Sequence, residues 1–400
     1  MRAIPVQEKT VSERLEPYLA NVRLRILIVG AGIAGTTLAA LLRQRGERPV
    51  VIERGTANAQ AGYMLGLMPL GGRVLNGLGL AEDYLNLSCQ ISHYELFANH
   101  GRTKRNYSLD PLMDEFGLLR GIERGELLSL LRRAAGKDAI SFETYITHLQ
   151  NDPDEIIVTF HDGSRQTFDL VVGADGMHSD VRRRILNENE YAYWRTGWAG
   201  WVEWAALGDG HRDSYSELWL AGRGVGVYPV KQRMGIFLAG RLPDLERTTA
   251  QAFSNQIATR LPSGPIREAL GRVDRSMPSF LWKMEDCRAQ TWSRGRVVLL
   301  GDAAAAFLPT AGVGASMAMD SAAALADELS RADATHMTYA LRLYERRQRR
   351  RVELAQTNSR WLAKVMFVDN PVLAWLRDRV IRFYTIKMMI KDISRVMEGK

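Results

Sequence analysis

Apolar residues recur along this chain in distinct rhythms, and their succession lays out the elements. RILIVG (25–30) is a continuous β-branched run of strand length, read as a strand buried on both faces. After an interruption of glycines, TTLAALLRQRG carries a helical rhythm that stops at Gly46. PVVIERG is a second buried strand, ending in Glu53. A strand, tight turn, helix and strand within about 30 residues form a βαβ unit, which implies a parallel sheet. Residues 62–80 read as an irregular Gly- and Leu-rich stretch, 124–136 as a helix, and 140–147, 155–160 and 167–173 as strands. From 186 to 283 the rhythm shifts to short alternating runs such as GVGVYPV and GIFLAGRL, separated by turns and rich in Trp and Tyr. That is the pattern of an antiparallel, mostly β region. RVVLLG (296–301) restores the buried-strand pattern, an Ala-rich helix follows to about Leu329, and long helices take up the rest.

The expected fold class is therefore α/β: a discontinuous Rossmann-like nucleotide-binding domain, an inserted and mostly antiparallel β domain for substrate, and C-terminal helices. The boundaries run 23–72, 102–184 and 284–345 for the first domain and 73–101 and 185–283 for the second, with an N-terminal extension at 1–22 and a C-terminal helical segment at 346–400. Four hundred residues exceed what one hydrophobic core usually carries, in keeping with this division.

Composition narrows the class. With 46% hydrophobic and 24% charged residues the chain reads as globular, not disordered or fibrous. No apolar run reaches membrane-spanning length, and the polar start MRAIPVQEKT lacks a signal-peptide core. Cys89 and Cys287, nearly 200 residues apart, supply neither a disulfide framework nor a Cys-x-x-x-x-Cys redox pair. A cytoplasmic protein is expected. The histidines show no ligand spacing, so no metal is assigned. The net charge of +8 sits in the last 60 residues, where 15 Lys and Arg face 6 Asp and Glu. A near-neutral body argues against a nucleic-acid groove. In the C-terminal segment Asn370 and Pro371 start an amphipathic pattern running from Leu373, Leu376 and Val380 to Met397. It is expected to pack over the nucleotide domain, with peripheral attachment to anionic lipid as the alternative. The run ERRQRRR (345–351) reads as a solvated helix face.

Three motifs carry chemistry. Gly30, Gly32 and Gly35 form G-x-G-x-x-G between strand and helix, with an acid at the end of the next strand. Gly30 permits the tight turn, Gly32 lets a pyrophosphate approach the helix N-terminus, and Gly35 lets helix and strand close up. Glu53 can accept a ribose 2′-hydroxyl. LVVGADGMHSDVRR, starting at Leu170, ends a buried strand in an Asp175-Gly176 turn. VVLLGDAAAAFLPTAGVGASMAMDSAAALADEL (297–329) ends another in Gly301-Asp302, then opens a small-residue helix after Pro309, Gly312, Val313 and Gly314. A flat cofactor can lie against such small residues, with the helix start offering N–H groups to an electron-rich edge.

In order and spacing these elements resemble the group A flavoprotein monooxygenases, the para-hydroxybenzoate hydroxylase-like family. AGYMLGLMPLGGRVLNGLGL (61–80) and Arg124 in ERGELLSLL are similar to further family stretches, and the resemblance spans about residues 24–360. It implies FAD as cofactor and NADH or NADPH as co-substrate, bound only transiently because a second fingerprint is missing. Gly30, Gly32, Ile33, Ala34, Gly35, Glu53 and Arg54 would hold the ADP half, and Arg124 the phosphate–ribitol region. Gly301 and Asp302 would bind the ribityl or pyrophosphate part. Pro309 and the backbone from Gly312 to Ala315 would face the flavin pyrimidine edge, and Asp175 would serve FAD packing and the nicotinamide. Where the family often reads Gly-Asp-Ala-Ala-His-Pro, Ala305 and Ala306 leave the pocket wall apolar. The implied reaction is hydroxylation of an aromatic or polyketide-like molecule of secondary metabolism by O₂, through a flavin C4a-hydroperoxide.

For substrate, Trp194, Trp198 and Trp201 in YAYWRTGWAGWVEWA, together with Tyr228, are expected to wall a flat apolar pocket for an aromatic or polycyclic ring. No general base can be named. The alternatives are a reductase or dehydrogenase on the same scaffold, and a non-catalytic nucleotide-binding or membrane-surface protein. A halogenase is disfavoured because no Trp-x-Trp-x-Ile-Pro occurs. Monomer and homodimer both remain open.

Overall fold

The computed structural model describes residues 9–57, 62–98, 103–136, 139–208, 212–381 and 394–395. A six-stranded sheet is built on the strand Ile26–Val29, whose four residues are all buried. Leu170–Gly173 and Val50–Ile52 flank it in parallel, and Val297–Leu299 and Ile140–Ser141 extend the two sides. The edge strand Ser293–Arg294 pairs antiparallel. The helix Ile33–Gln44 starts at Gly32, ends before Gly46 at φ +86°, and packs against the helix Gly314–Ser330. Small side chains at Ala34 and Ala318 permit this approach, and a Cβ at Gly301 would sit 2.7 Å from that of Ala34 and 3.6 Å from that of Ala318.

The second layer is an eight-stranded sheet in the order Ala305–Ala306, Phe280–Ala289, Tyr191–Ala206, Arg233–Arg241, Arg223–Pro229, Ser214–Trp219, His93–Ala98, Thr103–Ser108. All its pairings are antiparallel except Ser214–Trp219 with His93–Ala98. One face, carrying Val225, Val227, Ile236 and Leu238, packs on the helices Ala250–Ala258 and Pro265–Gly271. The other face looks toward the first domain.

Hydrogen-bond pairing draws several edges differently from the sequence reading. Thr103–Ser108 and Phe280–Ala289 are strands of the eight-stranded sheet, whereas the sequence pattern assigns 102–184 and 284–345 to the first domain. The stretch 62–80 is ordered, as the strand Met64–Leu67 and the helix Pro69–Gly77, with Val74 and Leu75 in the core of the first domain. Alternation within a strand reveals its faces but not its partner.

The 30-residue helix Met337–Met366 ties the layers together. Near its start Tyr344 is fully buried beside Leu299. Near its end Arg360 forms a bidentate pair with Asp286, whose side chain is wholly inaccessible. The basic run is more than a solvated face. Arg347 pairs with Asp327 and Glu328, Arg351 with Asp320, and Arg349 with Glu345 and Glu353. The following helix, Pro371–Val380, packs at the end of the eight-stranded sheet and not over the nucleotide domain. Arg377 lies over the Trp219 ring and donates to the Trp219 carbonyl. Phe383, Ile386, Ile390, Ile393 and Met397 of the amphipathic pattern lie outside the described residues.

Candidate active site

A cavity of about 1330 Å³ runs between the two sheets. That exceeds the 300–1,000 Å³ typical of a single small-ligand site, so it has room for a dinucleotide and a second molecule. One end is the glycine turn. Gly30 has φ +108°, and a Cβ there would lie 2.4 Å from the Ala174 carbonyl oxygen; a Cβ on Gly35 would lie 2.0 Å from that of Gly30. Both positions are closed by backbone. Gly32 is the opposite case, with no atom within 4 Å of its missing Cβ. The open space there adjoins the uncapped N-terminus of Ile33–Gln44, a place that suits a phosphate. Each oxygen of Glu53 accepts one backbone N–H, from Ala31 at 2.9 Å and Gly55 at 2.8 Å. The carboxylate is thereby aimed while lone pairs remain for hydroxyls.

Midway along, Asp302 opens its side chain to the cavity. Burial pushes its carboxyl up to about 6, against the pull of the Arg124 guanidinium. Arg124 itself lies 5.5 Å over the Tyr63 ring. Gly312 adopts a left-handed φ of +61° with nothing within 4 Å of a Cβ, and the helix Gly314–Ser330 begins there without a side-chain cap. Free N–H groups and the positive end of a 17-residue helix dipole thus face the cavity beside small residues. Asp175 also lines the cavity, but its carboxylate caps the helix Asp180–Ile185, accepting from Ser179 Oγ at 2.5 Å and from the Asp180 and Val181 amides. Of the sixteen residues expected to hold cofactor, all but Gly35 and Gly301 line this cavity, and those two instead hold strand and helices close. The open space at Gly32, the aimed carboxylate of Glu53 and the uncapped helix starts together fit FAD.

The other end is an aromatic chamber on the inner face of the eight-stranded sheet. Trp198, Val202, Phe237, Trp282, Trp219 and Tyr228 line it. Trp194 and Trp201 do not. Tyr191–Ala206 is one long strand, so its side chains alternate, and a bulge between Arg195 and Ala199 resets the register. Trp201 falls on the outer face with the helix-packed core, and Trp194 packs beneath Arg360 and Lys364. The sequence reading missed Tyr94, Tyr107, Glu217, Trp219, Trp282 and the closing residues Phe367, Leu373 and Leu376. Alternation in SYSELW (214–219) puts Tyr215, Glu217 and Trp219 on one face, and was the available signal.

The family model described as "FAD binding domain" matches residues 23–359, most of the chain. The protein belongs to the para-hydroxybenzoate hydroxylase-like family of FAD-dependent monooxygenases. This monooxygenase is 32% identical over 311 residues to the 3-amino-4-hydroxybenzoate 2-monooxygenase of Streptomyces cremeus, covering 74% of its own chain and 76% of the relative. It is 30% identical over 323 residues to the FAD-dependent urate hydroxylase of Mycolicibacterium vanbaalenii, with 76% and 78% covered. The crystal structure of Klebsiella pneumoniae HpxO complexed with FAD and uric acid shares its fold, with a TM-score of 0.85 at 23% identity, over 94% of this chain and 97% of that one. Among the described residues of the monooxygenase, no His, Cys, Asp and Glu cluster could hold a metal, and no helix is long and apolar enough to cross a membrane.

Proposed function

We propose that this monooxygenase hydroxylates an aromatic or heteroaromatic small molecule at the expense of NADH or NADPH and O₂. In balance, substrate C–H, NAD(P)H, H⁺ and O₂ give substrate C–OH, NAD(P)⁺ and water. The observation that carries the reading is the continuity of the cavity from the Gly32 opening to the chamber of Trp198, Phe237, Trp282 and Tyr228. When bound, FAD supplies the redox chemistry, accepting electrons from the nicotinamide and passing one oxygen atom of O₂ to the ring. The chain's part is binding, orientation and dryness. Gly32 with the Ile33 and Ala34 amides would take the pyrophosphate, Glu53 the adenosine ribose, Arg124 and Asp302 the ribityl–phosphate stretch, and the Gly312–Ala315 backbone the flavin's electron-rich edge. The aromatic chamber holds the ring flat and keeps out water, which would divert reducing equivalents to H₂O₂. The relatives named for an aminohydroxybenzoate and for urate support a planar, polar-substituted ring. Free thiols at Cys89 and Cys287 support the cytoplasm as its compartment.

Turnover under ¹⁸O₂ tests the proposal. One heavy oxygen per product is expected; a product oxidised without label, with stoichiometric H₂O₂, would replace hydroxylation with dehydrogenation.

A further inference from the structure

One acidic side chain in the aromatic chamber has no part in the proposed cofactor binding. Glu217 lies on the inner face of Ser214–Trp219, between Tyr215 and Trp219 in the alternation. Its Oε2 accepts from Tyr94 Oη at 2.8 Å and Trp219 Nε1 at 2.9 Å, and its Oε1 accepts from Tyr228 Oη at 2.8 Å. The three donors come from three different strands. Gly226, the register partner of Glu217, makes the third one possible, since a Cβ there would fall 2.3 Å from the Tyr228 hydroxyl. Burial, reinforced by the adjacent Glu217, raises both tyrosines well above the ordinary phenol range, so they stay protonated donors.

A carboxylate has about four lone-pair sites. Neutral donors occupy three, and no Lys or Arg among the described residues pairs with Glu217. The remaining site is on Oε1, and the residue lines the cavity. Tyr107, Tyr215, Leu96 and Leu109 stand around it, and of the cations on this side of the cavity Arg377 lies over the Trp219 ring and Arg223 on the next strand, neither paired with Glu217. A rigidly held acceptor in such surroundings discriminates strongly, because a bound group that cannot donate leaves it uncompensated. A second carboxylate there would add like-charge repulsion in a low-dielectric site.

We propose that Glu217 determines which rings this monooxygenase accepts: it takes the N–H or O–H of an amino, hydroxyl or ring-nitrogen substituent and turns away a ring presenting a carboxylate at that end. The inference rests on the chamber being the substrate site. Glu217 acts as a specificity determinant, with no proton transfer assigned to it.

The test is calorimetric titration of the FAD-loaded protein with three probes on one ring: 2-naphthol, 2-methoxynaphthalene and 2-naphthoate. Wild type is expected to bind 2-naphthol at least about tenfold tighter than either other probe, the scale of one hydrogen bond to a charged acceptor. Glu217→Gln should lower the naphthol-to-naphthoate ratio by about tenfold or more. Tyr228→Phe should keep it, because the carboxylate remains. Equal wild-type affinity for naphthol and naphthoate, an unchanged ratio in Glu217→Gln, or loss of the ratio in Tyr228→Phe would overturn the inference. With labelled oxygen still incorporated, such a result leaves hydroxylation standing. If no probe binds, the chamber assignment falls and this inference with it.

Discussion

Gly32 and Gly35 belong to one motif, yet their surroundings demand opposite outcomes on substitution. A Cβ on Gly35 would meet the Gly30 carbonyl oxygen, which is backbone and cannot swing aside. Gly35→Ala should therefore destabilise the apoprotein by more than the roughly 1–3 kcal/mol of ordinary overpacking, read from denaturant midpoints. Gly32→Val fills only the opening meant for phosphate. It should cost the apoprotein no more than about 1 kcal/mol, an N-cap effect. Gel-filtered protein should nevertheless emerge without flavin absorbance. Asp302 offers a pH test. Its carboxyl is raised to about 6 by burial, so the folded state holds the proton more tightly than the unfolded chain does. That contribution is fully present below the unfolded value near 3.8 and is lost as pH rises through about 6. Apoprotein Asp302→Asn, which cannot ionise, should melt higher than wild type at pH 8, with the gap closing as pH falls toward 4.

At the scale of the element, the strand Tyr191–Ala206 shows how register sorts chemically equal residues. Trp198 and Trp201 are three positions apart and end on opposite faces. Trp198 stacks on Phe367 with ring centroids 4.9 Å apart, closing the chamber against the end of the long helix. Trp198→Ala should raise the share of NAD(P)H consumption that ends as H₂O₂, measured as peroxide per nicotinamide oxidised. Trp201→Ala should leave that share unchanged and cost about 3 kcal/mol of stability, the lower end of the range for core tryptophans because it is half-buried. Gly200, between them, belongs to the inner face. A Cβ there would lie 2.2 Å from the Phe237 ring, so the glycine is what lets Phe237 lie across the strand into the chamber.

At the scale of the molecule, the long helix Met337–Met366 couples cofactor and substrate layers, and its far anchor is the Arg360–Asp286 pair. Breaking a buried ion pair from one side costs more than the pair is worth, because the survivor is left desolvated. Asp286→Ala should cost about 3 kcal/mol, as Arg360 keeps partial access to solvent. The double variant with Arg360→Met should recover part of that loss. A double-mutant cycle by chemical denaturation measures the coupling, and strict additivity would show that the helix is anchored elsewhere.

Sequence alone determined what depends on neighbours along the chain. The turn at Gly30, the close contact of Gly35 and the acid ending the next strand all fall within one contiguous βαβ unit, and their steric demands are local. The buried strands at 26–29, 170–173 and 297–299 were legible for a similar reason, since a strand covered on both faces must be apolar throughout. Tertiary structure decided everything that depends on pairing. The tryptophans of 194–204 recur at steps of three and four, and only the strand geometry, with its bulge, shows that Trp194 and Trp201 leave the chamber. Glu217 meets Tyr94 through the parallel pairing of Ser214–Trp219 with His93–Ala98, and Tyr228 through the antiparallel pairing with Arg223–Pro229. Arg124 faces Asp302 across almost half the chain. Alternation tells which side chains share a face but carries no record of the strand next door; that is set by the joint burial of segments far apart in sequence.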